Sequence, residues 1–191
     1  LTTLDITNNT ALTHLSCSYQ PLTELNLSNN TALTNLQCQG NDLTTLDITN
    51  NTALTYLRCY SNQLTSLDVS SNTALILLRC YSNQLTSLDV SSNTALTDLR
   101  CENNQLTYLN MKNGVTDQLT GFNATSNPDL TCIETLDPDY ATTNWTYENS
   151  NIDEGVTFAI ACGNFNLHVA TTGSDSTGDG SYENPFATIQ K

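Results

Sequence analysis

A 21-residue repeat constrains this chain more than any other feature of its sequence. Leucine recurs at that period through the first half of the chain, at Leu1, Leu22, Leu43, Leu64, Leu85 and Leu106. Each period divides into two half-units, such as LTSLDVSSNTA over 64–74 and LILLRCYSNQ over 75–84. Both carry an L-x-x-L-x-[L/I/V/C] core whose last three residues alternate inward and outward, which is the period of a short strand. The Asn-, Ser- and Thr-rich residues that follow each core are typical of turns.

This repeat predicts a solenoid. A 21-residue coil with two strands and two turns leaves no room for a helix, so we expect two parallel sheets packed face to face. Neighbouring coils should lie ~4.8 Å apart, the spacing of paired strands. The inward set of one coil is Leu54, Leu57, Cys59, Leu64, Leu67 and Val69. A single coil cannot bury such a set alone, so stability must come from stacking.

The pattern resembles a known family of repeats. The segments LTYLRCYSNQL over 54–64 and TSLDVSSNTA over 65–74 are similar to the short bacterial leucine-rich repeats called IRREKO repeats. The resemblance covers residues 1–112 and implies an all-β-rich leucine-rich-repeat solenoid of about five coils, each with two short parallel strands. The first coil departs from the pattern at Gln20-Pro21, where later coils have Asn-Gln or Asn-Asp.

A change of composition near residue 113 marks the end of the repeats. Residues 113–191 hold eleven of the chain's nineteen acids but only one base, Lys191. Within 113–163, the segments NPDLTCIE, NWT and IDEGVTF resemble the C-terminal cap that follows such repeats in secreted Bacteroidetes proteins. That resemblance implies a non-repetitive cap with a disulfide between Cys132 and Cys162. We interpret Trp145 as an anchor of the cap core, and a ligand platform is the alternative. A disulfide implies an oxidising compartment; two buried free thiols are the alternative.

The end of the chain predicts a third region over 164–191. Residues 167–191 resemble the opening of the right-handed parallel β-helix in pectate-lyase-like surface proteins, so we expect a linker and the start of a truncated domain. No lyase chemistry can be carried over from so short a match. Because Leu1 falls inside a repeat, we expect the chain to be a piece of a larger bacterial surface protein.

Several side-chain columns follow from the period, and we interpret most of them as structural. A thiol column would point into the apolar core; metal ligands or disulfides are the alternatives, but zinc favours a tetrahedral cluster over a line. Amide side chains can satisfy turn backbone groups in adjacent coils. The thiol column is Cys17, Cys38, Cys59, Cys80 and Cys101; the two amide columns are Asn41, Asn62, Asn83 and Asn104, and Asn9, Asn30, Asn51, Asn72 and Asn93.

A carboxylate column lies on the outer face of the second sheet, at Asp5, Asp47, Asp68 and Asp89. One interpretation is a calcium site or a site for a cationic ligand. The other is turn capping, in which each carboxylate accepts hydrogen bonds from the Ser or Thr two residues later. We favour capping.

The outer face of the other sheet is the candidate ligand-binding surface. All three arginines of the chain fall in one outward column, where neighbouring cations ~4.8 Å apart repel by about 0.9 kcal/mol in water. Turn chemistry gives no reason for arginine there, and the neighbouring tyrosines resemble interface residues. The candidate residues are Tyr56, Arg58, Tyr60, Leu77, Arg79, Tyr81, Asp98, Arg100 and Glu102. The alternative is that duplicated coils copied a harmless arginine.

The remaining features exclude several functional classes. A formal net charge of −14 argues against nucleic acid binding, and no apolar run is long enough to insert into a membrane. No nucleophile elbow, zinc-binding HExxH or phosphate loop occurs, so we expect no enzyme and no cofactor, with calcium as a minor alternative. We therefore predict a monomeric, secreted or cell-surface bacterial module that binds a protein or polysaccharide. The alternative is a spacer or accessory module that presents a downstream, carbohydrate-active β-helix domain.

Overall fold

The computed structural model describes residues 2–163, and these form a parallel solenoid of about seven turns. The strands are β1 (His14–Ser16), β2 (Asn35–Gln37), β3 (Tyr56–Arg58), β4 (Leu77–Arg79), β5 (Ser87–Asp89), β6 (Asp98–Arg100), β7 (Tyr108–Asn110), β8 (Gly121–Asn123), β9 (Cys132–Glu134) and β10 (Thr157–Ala159). A 3-10 helix over Thr116–Gln118 and one α-helix, α1 (Pro138–Asn144), complete the described elements. These elements belong to one compact unit, Leu1–Ala161, and a second unit begins at Cys162.

The first sheet contains six parallel strands in the order β1-β2-β3-β4-β6-β8. Its register stacks residues at the predicted period of 21 through the repeats. One outward column is His14, Asn35, Tyr56, Leu77, Asp98 and Gly121, and the next is Ser16, Gln37, Arg58, Arg79, Arg100 and Asn123. The predicted leucine-rich-repeat solenoid with parallel sheets is therefore confirmed.

The second side of the solenoid differs from the prediction of two strands in every coil. Its sheet has four parallel strands in the order β10-β9-β7-β5, so the coils before β5 have a strand on one side only. In those coils the inward and outward alternation persists, with Leu46 and Ile48 buried and Asp47 exposed. Alternation requires only packing against the core, whereas a strand also requires hydrogen bonds between coils. The repeat pattern predicts the packing against the core but not the hydrogen bonds between coils.

The core is one continuous stack of leucine, with isoleucine, valine and cysteine in register. In the third coil of the first sheet, Leu54, Leu57, Cys59 and Leu64 are fully buried. Each such side chain contributes about 1.5–3 kcal/mol of burial free energy. Because every inward residue lies between two coils, this stabilisation is shared along the stack and not contained in any one coil.

The predicted non-repetitive cap continues the solenoid. β8 pairs with β6, β9 with β7, and β10 with β9, so both sheets extend beyond residue 113. The helix α1 begins after Asp137, whose side chain accepts a hydrogen bond from the backbone N–H of Tyr140. The cap is therefore non-repetitive in sequence but repetitive in backbone path, because hydrogen bonding to the preceding coil does not depend on the leucine spacing.

Candidate functional site

The first asparagine column joins each coil to its neighbour. Asn83 donates from Nδ2 to the carbonyls of Cys59 and Cys80 at 3.1 and 3.0 Å, and its Oδ1 accepts from the backbone N–H of Leu64 at 3.0 Å. Asn41, Asn62 and Asn104 make the equivalent bonds in their own coils. These amides are buried and their hydrogen bonds are internal, so they place the coil backbone and offer nothing to a ligand.

The second asparagine column is only half satisfied. Asn72 donates from Nδ2 to the carbonyls of Ile48 and Asn51 at 3.1 and 2.9 Å. Its Oδ1 is buried and, within residues 2–163, accepts no hydrogen bond, and the same holds for Asn30, Asn51 and Asn93. A buried amide oxygen of this kind is usually served by an ordered water.

The thiol column is buried along its whole length. Cys38, Cys59, Cys80 and Cys101 are fully buried free thiols, and Cys17 is nearly so. Burial in the apolar core raises the pKa of Cys80 to about 12, with a contribution from Glu102. A neutral buried thiol is a poor nucleophile and a poor metal ligand. In the part of the chain that the structure describes, no three His, Cys, Asp or Glu side chains are placed to hold a metal ion.

The carboxylate column caps its own turns. Asp47 Oδ1 accepts from the backbone N–H of Thr49 at 3.0 Å and from its hydroxyl at 2.7 Å. Asp5 makes the same pair of bonds to Thr7. The hydroxyl and then the backbone bond lower the pKa of both carboxyl groups. Asn26, in register with them, makes the same contacts to Ser28, so the geometry needs an acceptor oxygen and not a negative charge.

The arginine column is divided by one ion pair. Arg79 makes a two-pronged contact with Asp98, from Nε to Oδ1 at 3.2 Å and from Nη2 to Oδ2 at 3.1 Å. This hydrogen-bonded carboxylate raises the pKa of Arg79. Arg58 and Arg100 make no such ion pair within the described residues. Two of the three guanidinium groups therefore keep their hydrogen-bonding fork for a partner.

Gly121 makes room for this ion pair at the end of the sheet. A Cβ atom at position 121 would lie 2.8 Å from Asp98 Oδ2 and 3.7 Å from Arg100 Nη2. Any other residue would displace the carboxylate, because real Cβ atoms do not approach that closely. The repeat gives no signal for this role, since Gly121 lies outside the 21-residue period.

The tyrosines form a short ladder beside the arginines. The rings of Tyr60 and Tyr81 stack with their centroids 4.3 Å apart and their planes 9° from parallel. The Tyr19 hydroxyl lies 3.2 Å from that of Tyr60. The Tyr19 ring crosses Gly40, where a Cβ atom would overlap Cδ1 of the ring. Tyr19 is the most exposed aromatic residue of the described chain, at 67%. The sequence signal for Tyr19 is an aromatic residue in a column otherwise made of Gly, Ser and Asn.

Two predicted site residues differ from the expectation of a free outward surface. Leu77 points outward in the register but is only 8% exposed, so it adds packing and little contact area. Glu102 is half-buried, and its Oε2 is buried without a partner in the described residues. Burial raises the pKa of Glu102, against the opposing effect of Arg100 and Arg79.

The cap contains the disulfide that the resemblance implied. Cys132 and Cys162 are both disulfide-bonded, and they are the two cysteines of the chain that do not belong to the thiol column. The prediction of a disulfide is therefore confirmed. The predicted β-helix opening, residues 164–191, lies outside the described residues.

Comparison with solved structures places the fold beside a leucine-rich-repeat protein. The functional domain of InlJ from Listeria monocytogenes, a structure described as including a cysteine ladder, matches with a TM-score of 0.51 and 35% sequence identity. The match covers 70% of this chain and 36% of that one, so this chain spans about a third of its neighbour's length. No protein-family model matches the chain, and neither does any curated protein. Residues 2–163 contain no helix that is both long enough and apolar enough to cross a bilayer.

Proposed function

We propose that this chain is an extracellular or cell-surface recognition module that binds a protein through the Arg/Tyr face, defined as Tyr56, Arg58, Tyr60, Arg79, Tyr81, Arg100 and Glu102 with Tyr19 added. The observation that carries the proposal is the division of the arginine column. Arg79 is held by Asp98, whereas Arg58 and Arg100 remain available on either side of it. An extracellular location is supported by the disulfide of Cys132 and Cys162.

The ring geometry favours a protein over a polysaccharide on this face. A ring that stacks on a sugar must offer a free face, but the facing sides of Tyr60 and Tyr81 are in contact with each other. One face of each ring is therefore already occupied, and both rings also offer their edges and hydroxyl groups. Tyrosine edges and hydroxyls beside arginine are typical of the central contacts of protein interfaces.

The charge distribution favours a short acidic segment of the partner. The chain carries only five Lys and Arg residues against nineteen acids, and three of the five form this column. A long polyanion would be attracted by the arginines and repelled by the rest of the molecule. Carboxylates that reach Arg58 and Arg100 should lie about two strand spacings apart, or roughly 10 Å.

The test compares Arg58→Ala/Arg100→Ala with the unchanged protein in binding to a panel of surface proteins and of acidic and neutral polysaccharides. Losing two charge-assisted contacts should weaken binding to a protein partner by roughly 3–6 kcal/mol in total, or at least a hundredfold. Arg58→Lys/Arg100→Lys keeps both positive charges but loses the guanidinium fork. Its affinity should therefore lie between that of the unchanged protein and that of Arg58→Ala/Arg100→Ala.

Thermal unfolding of all variants serves as the control, because both arginines lie at the surface and their loss should leave the fold intact. A protein ligand whose affinity is indifferent to the double change would refute this site. If a polysaccharide binds and its binding depends on both arginines, the Arg/Tyr face remains the binding site but its ligand is a polysaccharide and not a protein. A protein that binds no member of the panel would leave the spacer role as the better proposal.

A further inference from the structure

The cap contains a cleft beside β10, the edge strand of the second sheet, and this cleft shares no residue with the Arg/Tyr face. Its volume is about 430 Å³, and it lies between the end of α1, the turn after it, and β10. Ligand sites of proteins usually occupy about 300–1,000 Å³, so the cleft can hold a small molecule. Its lining includes Thr142, Trp145, Thr146, Tyr147, Asp153 and Phe158. We call it the cap cleft.

The walls of the cap cleft are held in place by packing and hydrogen bonds. Trp145 contacts Phe122 with ring centroids 4.5 Å apart and Phe158 at 5.8 Å. The turn after the helix is closed by Asn151, whose backbone N–H donates to the Thr146 carbonyl at 3.0 Å. The Asn151 side chain also donates to the Phe122 carbonyl at 2.9 Å. The cleft is therefore formed before any ligand arrives.

Several polar groups in the lining keep an unused donor. Trp145 is only 5% exposed, yet its indole N–H donates to no atom of residues 2–163 and is not itself fully buried. The small exposed part of Trp145 therefore includes this N–H, and Trp145 lines the cleft. The Thr146 hydroxyl accepts from the backbone N–H of Asn149 at 3.2 Å and keeps its own proton. The Thr142 hydroxyl has no hydrogen bond within the described residues.

Charge restricts the ligand further. Among the described residues, no Lys, Arg or His lines the cleft, and its one charged side chain is Asp153. Both oxygens of that carboxylate accept backbone hydrogen bonds at 2.8 Å, from Ser126 and Asn127. A carboxylate without a neighbouring cation disfavours anionic ligands. Tyr147 also lines the cleft; it is 57% exposed, and no other ring of the described residues stacks on it.

From these observations we infer that the cap cleft binds a single neutral sugar ring. A pyranose offers an apolar C–H face to an aromatic ring and hydroxyl groups to donors such as the indole N–H, Thr142 and Thr146. The chain would then recognise two kinds of ligand in two places, a protein on the Arg/Tyr face and a glycan residue in the cap.

The single tryptophan of the chain provides the probe. A ¹H–¹⁵N spectrum contains one indole signal, from Trp145, which we titrate with glucose, galactose, mannose and N-acetylglucosamine, and with glucuronate as the anionic comparison. At least one neutral sugar should move the signal saturably, with a dissociation constant on the order of millimolar for so small a ligand. Glucuronate should move it less.

Two matched variants decide whether the cleft is responsible. Thr142→Val removes a lining hydroxyl and should weaken sugar binding roughly three- to tenfold. Thr143→Val makes the same change one residue along α1, outside the lining, and should leave the affinity unchanged; Tyr147→Ala should weaken it.

The inference is overturned if no neutral sugar shifts the indole signal, if Thr142→Val and Thr143→Val behave alike, or if glucuronate binds as well as the neutral sugars. Binding of a hydrophobic peptide side chain in place of any sugar would likewise overturn it. Arg58→Ala/Arg100→Ala should not affect the titration, so failure of the cleft and failure of the Arg/Tyr face are separable.

Discussion

The asparagine side chain is the smallest unit that ties one coil to the next. Its amide provides two donors and an acceptor, and in the first column all are used: Asn83 bonds the Cys80 carbonyl three residues earlier, and the Leu64 N–H and the Cys59 carbonyl 19 and 24 residues earlier. Aspartate would lack the donors, and glutamine would have to place its amide at the end of a longer chain. A residue so fully committed to the backbone contributes to stability and leaves no group for a ligand.

Replacing Asn83 by alanine should therefore be costly. The change removes every hydrogen bond of this side chain and leaves the Leu64 N–H buried without a partner. The Cys59 and Cys80 carbonyls each lose one of two donors and keep Asn62 and Asn104, so we expect a cost of roughly 2–4 kcal/mol. Urea unfolding gives the free energy directly. Asn50→Ala is the control, because Asn50 is exposed and makes no hydrogen bond within the described residues, so its effect should stay within about 0.5 kcal/mol. Equal losses for the two variants would refute the structural role.

Glu102 gives a pH dependence opposite to that of the capping aspartates. Burial raises the pKa of Glu102 above its usual value of 4.5, so ionisation costs more in the folded than in the unfolded chain. Stability is then fully present when the carboxyl is protonated, below the unfolded pKa, and is lost as pH rises through the folded pKa. Glu102→Gln should be more stable than the unchanged protein at about pH 7, and this advantage should shrink towards about pH 4.

The measurement is the free energy of unfolding across that pH range. Glu24→Gln removes an equal charge from an exposed position and serves as the control. A difference between Glu102→Gln and the unchanged protein that is independent of pH would show that the carboxyl is not destabilised by burial.

At the scale of the elements, the sequence predicts the columns and misses what falls outside the period. The 21-residue spacing determines which side chains stack, so the register of Arg58 with Arg79 and Arg100 follows from the sequence alone. The position of Asn127 does not. It lies 23 positions after Asn104, yet it bonds the Cys101 carbonyl and the Leu106 N–H as the column members do. The backbone of the last coil changes length while the contact is kept.

The contacts that cover the last edge of the first sheet could not be predicted from the sequence either. β8 is the last strand, and its exposed edge would invite pairing with another chain. The Ala124 N–H, just after β8, donates to the Asn151 carbonyl at 2.7 Å. The Asp153 carboxylate accepts from the backbone N–H groups of Ser126 and Asn127. Asn151 and Asp153 lie in the turn after α1, which does not follow the 21-residue repeat. They are about 27 residues away in sequence, so only folding brings them to this edge.

At the scale of the whole molecule, the proposed binding face and the stabilising core use different sides of the same residue pattern. In each coil the sequence L-x-C directs leucine and cysteine inward, while the residue between them faces outward and is free to change. That outward position is Ser, Gln and then Arg in successive coils. Because inward substitutions cost about 2–5 kcal/mol and surface ones about 0.5 kcal/mol or less, binding properties can vary along the solenoid without loss of the fold.

The thiol column can report how this solenoid opens, since each coil carries one cysteine at the same depth. A stack stabilised by nearest neighbours should open first where it is least buried, and Cys17 is 6% exposed, whereas Cys38, Cys59, Cys80 and Cys101 have no exposure. Under native conditions iodoacetamide should label Cys17 first, roughly tenfold or more ahead of Cys80, as followed by mass spectrometry of the peptides. In denaturant all five should react alike, which provides the control. Equal native rates for all five would mean that the chain opens only as a single cooperative unit, against the one-dimensional stacking inferred from the repeat.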